Sequence, residues 1–269
     1  SLALAQHAAK TDADIIVLCG VHFMGETAKI LSPQKKVLVP DIEAGCSLAD
    51  SCPADAFEAF VKAHPDHTVI SYVNTTAAVK ALTDVVVTST NAKKIVDSFP
   101  KDAKLIFGPD RNLGNYINSV TGREMLLWDG ACHVHEQFSV EKLLKLKEEN
   151  SDAVVLAHPE CKKPLLLVAD FIGSTAALLN YTINSDKKKF LVATESGIIH
   201  EMQKKNPDKE FIPVPPNDST CACNECNFMR LNTLEKLYKC LLNETPEILV
   251  EESVREKAVK PILRMLELS

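Results

Sequence analysis

Two stretches of this chain, about 86 residues apart, carry the same polar punctuation in the same order. In the earlier one an apolar run ends in Tyr72 and Asn74, and a helical segment leads to Thr83-Asp84. A short run then ends in Ser89-Thr90, and another, Leu105-Ile106-Phe107, is followed by Gly108-Pro109-Asp110-Arg111. The later stretch answers with His158 and Glu160, Ala169-Asp170, Ser174-Thr175, and Leu191-Val192-Ala193 followed by Thr194-Glu195-Ser196-Gly197. Short Val- and Ile-rich runs alternating with segments of helical period read as βα units around a mainly parallel sheet. Carried backward, the offset sets Ser1 against Ser89 and Ile15–Cys19 against Leu105–Phe107. The expected fold class is therefore α/β, built from three similar βαβ-type domains with short parallel sheets. The domains are placed at residues 1–48 plus 233–269, 49–133 and 134–232, the first lacking roughly its opening 30–40 residues.

Strands are expected at Asp14–Cys19, Lys36–Pro40, Thr68–Val73, Val85–Thr88, Lys104–Phe107, Ala153–Ala157, Lys189–Ala193 and Glu210–Val214, with helices between them. After Thr233 the period becomes helical, and Pro261 is expected to kink the last helix or mark its restart. With 46% hydrophobic residues in 269, each domain can bury a core without disulfides. The apolar runs fall far below the ~18 residues of a membrane helix, so no membrane span is expected. A formal net charge of -6 offers no basic field to a phosphate backbone, which argues against nucleic acid as a partner. Nine cysteines, an odd number, and an opening without a leader pattern point to a reducing, cytoplasmic setting.

Cys46 and Cys132 are themselves 86 residues apart, each in a loop after the last strand of its repeat. The third repeat ends in Cys221-Ala222-Cys223-Asn224-Glu225-Cys226, close to the equivalent place. One cysteine per domain lets three thiolates meet on a pseudo-threefold axis. Three sulfurs without a fourth suit an iron–sulfur cluster with one open iron, a Lewis acid rather than an electron carrier. The Cys-x-x-Cys within 221–226 taken alone suggests zinc or redox exchange, although no second such pair exists. Cys19 is expected to be a buried strand thiol and Cys240 part of an apolar helical stripe. Cys161 is expected to be passive beside His158 and Glu160, and Cys52 a helix-entry residue before Pro53.

In parallel α/β sheets ligands bind beyond the carboxyl ends of the strands. Tyr72, Asn74, Ser89, Thr90, His158, Glu160, Ser174 and Thr175 lie there, with His133 and His135 beside Cys132. Ser-Thr pairs opening a helix offer hydroxyls and backbone N–H groups to anions, or serve simply as N-caps. His158 and Glu160, two apart on one side of a strand, form a candidate acid/base pair. Lys187-Lys188-Lys189 reads as a solvated turn.

Together, Tyr72-Val73-Asn74-Thr75-Thr76, Thr88-Ser89-Thr90-Asn91-Ala92, Phe107 to Gly114, His158-Pro159-Glu160-Cys161, Gly173-Ser174-Thr175, Thr194-Glu195-Ser196-Gly197 and Cys226 before Asn232-Thr233 resemble the quinolinate synthase family, over essentially the whole chain. The resemblance implies three similar three-layer (αβα) domains with pseudo-threefold symmetry around a central active site, and condensation of iminoaspartate with dihydroxyacetone phosphate to quinolinate, releasing phosphate and two waters, in de novo NAD synthesis. It implies one [4Fe–4S] cluster per chain on Cys46, Cys132 and Cys226, with one open iron and with Cys221 and Cys223 as non-ligands. It assigns catalysis to Tyr72, His158 and Glu160, and substrate binding to Ser1, Tyr72, Asn74, Ser89, His135, His158, Glu160, Ser174 and Thr175. It also implies a functional link to L-aspartate oxidase. The family's His-x-Tyr element upstream of the position of Ser1 has no counterpart in these 269 residues. Two other classes remain open at this point: a cluster-bearing sensor or electron carrier, and a zinc-stabilised binding module on Cys221, Cys223 and Cys226 with His133 or His135. Neither accounts for polar pairs recurring at a fixed offset.

Overall fold

The computed structural model describes residues 2–218 and 225–269. In chain order its elements are α1 (Leu2–Lys10), β1 (Ile15–Val17), α2 (His22–Leu31), β2 (Lys36–Leu38), α3 (Ser47–Asp50), α4 (Ala54–Lys62), β3 (Thr68–Tyr72), α5 (Ala77–Lys80), β4 (Val85–Val87), α6 (Ala92–Ser98), β5 (Leu105–Phe107), α7 (Arg111–Thr121), β6 (Leu126–Leu127), α8 (His133–Glu136), α9 (Val140–Glu149), β7 (Val154–Ala157), α10 (Lys163–Leu166), β8 (Phe171–Ile172), α11 (Thr175–Asn184), β9 (Lys189–Ala193), α12 (Ile198–Lys205), β10 (Glu210–Pro213), α13 (Leu234–Asn243) and α14 (Glu252–Leu268). Every expected strand forms, most of them a residue or two shorter than the apolar run suggests.

The chain is α/β with three sheets of short parallel strands. Two compact units divide it. The first takes the residues up to Asp110 together with Arg123–Gly130 and Asn227–Ser269, and the second takes Arg111–Gly122 and Ala131–Cys226. The first unit holds the β1-β2 sheet and a four-stranded sheet of order β4-β3-β5-β6. The second unit holds a sheet of order β8-β7-β9-β10. The two larger sheets thus share one topology, and register follows the repeat: Ile70 pairs Val85 in the first, Leu156 pairs Phe171 in the second.

The recurring aspartate explains how that register is held. Asp84 Oδ2 accepts the Val69 N–H at 2.8 Å while its own N–H donates to the Val69 carbonyl at 2.9 Å. Asp170 does the same with Val155, at 2.8 and 2.9 Å. Each aspartate therefore clasps the start of the central strand of its own sheet. Because a hydrogen bond to a charged group contributes about 1.5–3 kcal/mol when enclosed and less at a surface, Asp170→Ala is expected to cost about 1 kcal/mol. A lowering of the melting temperature by about 2–4 °C would show it, and an unchanged melting curve would refute the clasp.

In the second unit both sheet faces are covered, as the near-continuous apolar strands require. Val155, Ala157, Leu191 and Ala193 pack with Val134, Phe138, Leu143 and Leu165 on one side. Val154, Leu156, Phe190 and Val192 pack with Leu178 and Met202 on the other. In the first unit Phe57 meets Trp128 edge-on, with ring centroids 5.5 Å apart. The adjoining Gly108 is sterically required, because a Cβ there would lie 2.5 Å from Trp128 Cβ.

One expectation is corrected. Cys19 is exposed rather than buried in a strand, because β1 stops at Val17 and Cys19 lies two residues beyond it. Of the two outcomes expected at Pro261, the restart does not occur: α14 runs through it as one helix, with Ala258, Pro261, Ile262 and Met265 all buried, so packing outweighs the lost backbone bond. Lys187 and Lys188 are exposed in the segment before β9, where Lys188 pairs with Asp208, while Lys189 already opens β9, half-buried and 3.2 Å from Glu210. Among the described residues no helix is long and apolar enough to cross a membrane.

Candidate active site

The second unit gathers chemistry at the carboxyl ends of β7 and β9. His158 and Glu160 follow β7, Thr194 follows β9, and α8 brings Cys132 as its N-cap with His135 one turn on. His158 and Glu160 do not meet through strand alternation as expected. β7 has already ended at Ala157, and a turn closes in which the Glu160 N–H donates to His158 Nδ1 at 3.3 Å and the Cys161 N–H to the His158 carbonyl. The turn places the Glu160 carboxylate between two imidazoles, with Oε1 3.5 Å from His158 Nδ1 and Oε2 3.2 Å from His135 Nδ1. His135, His158 and Glu160 are 8%, 3% and 3% exposed, so these groups face each other almost without water.

The two histidines are driven apart electrostatically. Burial pushes His158 down to about 4, more strongly than Glu160 pulls it up, so its ring is neutral at pH 7. Its Nδ1 accepts a backbone N–H, which leaves the ring proton on Nε2. His135 is also pulled down by burial, but the Glu160 carboxylate and the Cys132 thiol beside it outweigh that and hold it well above the ordinary histidine value. Its Nε2 lies 3.1 Å from Thr194 Oγ1, which fixes the ring plane. In a nitrogen-15 NMR titration His158 is therefore expected to stay singly protonated down to about pH 5, while His135 takes up its second ring proton above the ordinary histidine range. The same midpoint near 6.5 for both rings would refute this assignment.

α8 is itself anchored through Glu136. Its Oε1 accepts from Asn112 Nδ2 at 2.6 Å, and Oε2 lies 3.3 Å from Arg111 Nη2 and 3.2 Å from Lys162 Nζ. This gives the Arg111-Asn112 pair of the repeat motif a structural purpose. Glu195 accepts the Gly197 N–H at 2.8 Å and the Cys226 N–H at 3.2 Å, tying Cys226 to the end of β9. Cys161 is passive, as expected: it is buried, pushed up to about 12 by that burial, and its Sγ donates to the Ala193 carbonyl. Thr194 and Glu195 were legible only as the repeat counterparts of the Gly-Pro-Asp-Arg turn.

The remaining expected residues divide between the units. Ser174 is the N-cap of α11, accepting from the Ala177 N–H at 3.3 Å, which leaves its hydroxyl proton to donate elsewhere; Thr175 is exposed at the first turn. In the first unit, Tyr72 is buried at the end of β3, Asn74 is half-buried beyond it, Ser89 follows β4, and Cys46 is the N-cap of α3. Ser1, Cys221 and Cys223 lie outside the described residues.

Residues 1–267 match the family model described as "Quinolinate synthetase A protein". The chain is 60% identical over all of its 269 residues to the quinolinate synthase of Synechococcus sp., covering 84% of that protein. It is 61% identical to that of Chloroherpeton thalassium and 60% to that of Thermosynechococcus vestitus, again covering 84% of each. With identity this high along its whole length and the polar strand ends in place, the chain belongs to the quinolinate synthetase A family of enzymes.

Proposed function

We propose that the chain condenses iminoaspartate with dihydroxyacetone phosphate to quinolinate, with loss of phosphate and two waters. The observation that carries this reading is the Glu160 carboxylate enclosed between a cationic and a neutral imidazole beyond the sheet's carboxyl edge. A [4Fe–4S] cluster, one per chain, would be held by Cys46, Cys132 and Cys226. The donor set fits it: these three thiols are half-buried, whereas Cys52, Cys161 and Cys240 are enclosed. Cys46 and Cys132 also occupy matching N-cap positions of one-turn helices in their repeats. When bound, the cluster supplies a Lewis-acidic iron that lacks a fourth cysteine.

The chain's own residues supply proton transfer and orientation. Glu160 accepts a carbon-bound proton from the imine substrate, and the His135 imidazolium beside it stabilises the carboxylate form until the transfer. His158, with its proton on Nε2, donates to a substrate carboxylate. Tyr72 is the second proton-transfer group, with Asn74 at the same strand end orienting the substrate. Hydroxyls of Ser1, Ser89, Ser174 and Thr175 hold carboxylate or phosphate oxygens, so that condensation and ring closure become intramolecular. Cys221 and Cys223 are non-ligands in this scheme. The three sheets are read as three domains, residues 1–48 plus 233–269, 49–133 and 134–232. The setting is cytoplasmic, and the functional link is to L-aspartate oxidase, which makes the imine.

The test is iron and sulfide analysis of the anaerobically reconstituted chain, followed by a quinolinate assay with the imine generated in place. About four irons per chain and quinolinate formation are expected. A colourless chain that forms no quinolinate would overturn the reading.

A further inference from the structure

We propose that, when no cluster is bound, the chain takes up a single divalent transition ion, Zn2+ foremost, on Cys132 Sγ, His135 Nδ1 and a Glu160 carboxylate oxygen. These three ligand atoms lie within 4.8 Å of one another. The closest edge, His135 Nδ1 to Glu160 Oε2 at 3.2 Å, already has the spacing of neighbouring ligands around tetrahedral zinc, about 3.2–3.6 Å for bonds of 2.0–2.3 Å. Cys132 and His135 stand three apart across one helical turn, so they face the same side. The two edges to Cys132 Sγ, neither longer than 4.8 Å, are left to close by side-chain movement.

Two further observations point to a ligand. His135 Nδ1 is buried and faces two ligand-type groups, the Glu160 carboxylate 3.2 Å away and the Cys132 thiol, so an ion seated there displaces the Nδ1 proton and the thiol proton to solvent. The other ring nitrogen is held by Thr194 Oγ1 at 3.1 Å, the second partner that orients a metal-binding histidine. Cys132 packs against a buried apolar cluster that includes Val134, Phe138, Leu143, Ala157 and Cys161, and the Phe138 ring lies against His135 with centroids 6.1 Å apart. A sulfur, nitrogen and oxygen set selects zinc, cobalt or ferrous ions over magnesium or calcium, and three protein ligands leave the fourth position to water. If Cys132 is also a cluster ligand, which rests on the reading above, an ion seated here excludes the cluster.

The experiment uses the full chain, freed of iron by a chelator under reducing conditions. Co2+ is the spectroscopic probe, and Zn2+ affinity is measured by competition with a chromophoric chelator. One Co2+ per chain with the charge-transfer intensity of one thiolate is expected. Glu160→Gln and His135→Asn should each weaken Zn2+ binding by at least about a hundredfold. The double variant Cys221→Ser/Cys223→Ser should stay within about threefold of the parent chain, since ligand removal costs far more than that. A multi-thiolate cobalt spectrum that this double variant abolishes would overturn the proposal, as would Zn2+ affinity that neither Glu160→Gln nor His135→Asn moves. Matching melting curves guard against misfolding. Iron content after anaerobic reconstitution separates the two readings, because Glu160 and His135 supply no cluster ligand. Normal iron uptake with unaltered zinc affinity in these variants sinks the zinc site and leaves the cluster assignment standing.

Discussion

Glu160→Gln is expected to lower the turnover number for quinolinate formation by about a hundred- to ten-thousand-fold, the range that a positioned general base supplies. The amide is nearly isosteric and keeps an oxygen to face His135, so the turn after β7 should persist. What disappears is the ability to take a proton, together with the negative charge that holds His135 above its ordinary range. The loss should fall mainly on the turnover number, with a smaller rise in the Michaelis constant, because Glu160 is one of several residues assigned to substrate binding and the hydroxyls among them are untouched. Iron content should match that of the parent chain. A variant within threefold of the parent rate would remove Glu160 from the chemistry.

Replacing Cys226 with alanine is expected to abolish quinolinate formation and to strip or degrade the iron centre, and Cys46→Ala and Cys132→Ala should behave alike. Three thiolates are the fewest that hold such a cluster with one iron open, so no ligand is spare. Cys161→Ala is the matched control. It removes a buried thiol whose environment already favours the protonated form, and it should cost stability through a small cavity while leaving the iron content intact. A Cys226→Ala chain that retained about four irons would move the third ligand elsewhere in 221–226 or out of the loop altogether.

Much of the fold was legible because parallel strands covered on both faces must be apolar throughout. Lys189–Ala193 forms over the full expected range for that reason. Periodicity fails where an element spans only about one period. β6 and β8 have two residues each, and the one-turn helices α3, α8 and α10 have four, too few to mark a face. That loss matters at the site, because α8 is what delivers His135 to Glu160, whereas the sequence placed His135 only beside Cys132. Conversely, His158 and Glu160 were identified from their repeat position, although the turn that unites them was not visible. Thr194 carries no chemical signature; only its contact with His135 across 59 positions of sequence reveals its part. Cys19 misled because an apolar run does not say where its last hydrogen-bonded residue lies.

The aspartate clasp also bears on how such a chain comes into being on the ribosome. Each clasp joins residues only 15 positions apart, so the ends of β7 and β8 can be aligned once Asp170 has emerged, before β9 has been synthesised. A parallel sheet ordinarily waits for a distant strand before its alignment is settled. Here that decision is local to each repeat, and a nascent β7 has its neighbour in place while the rest of the sheet is still being translated.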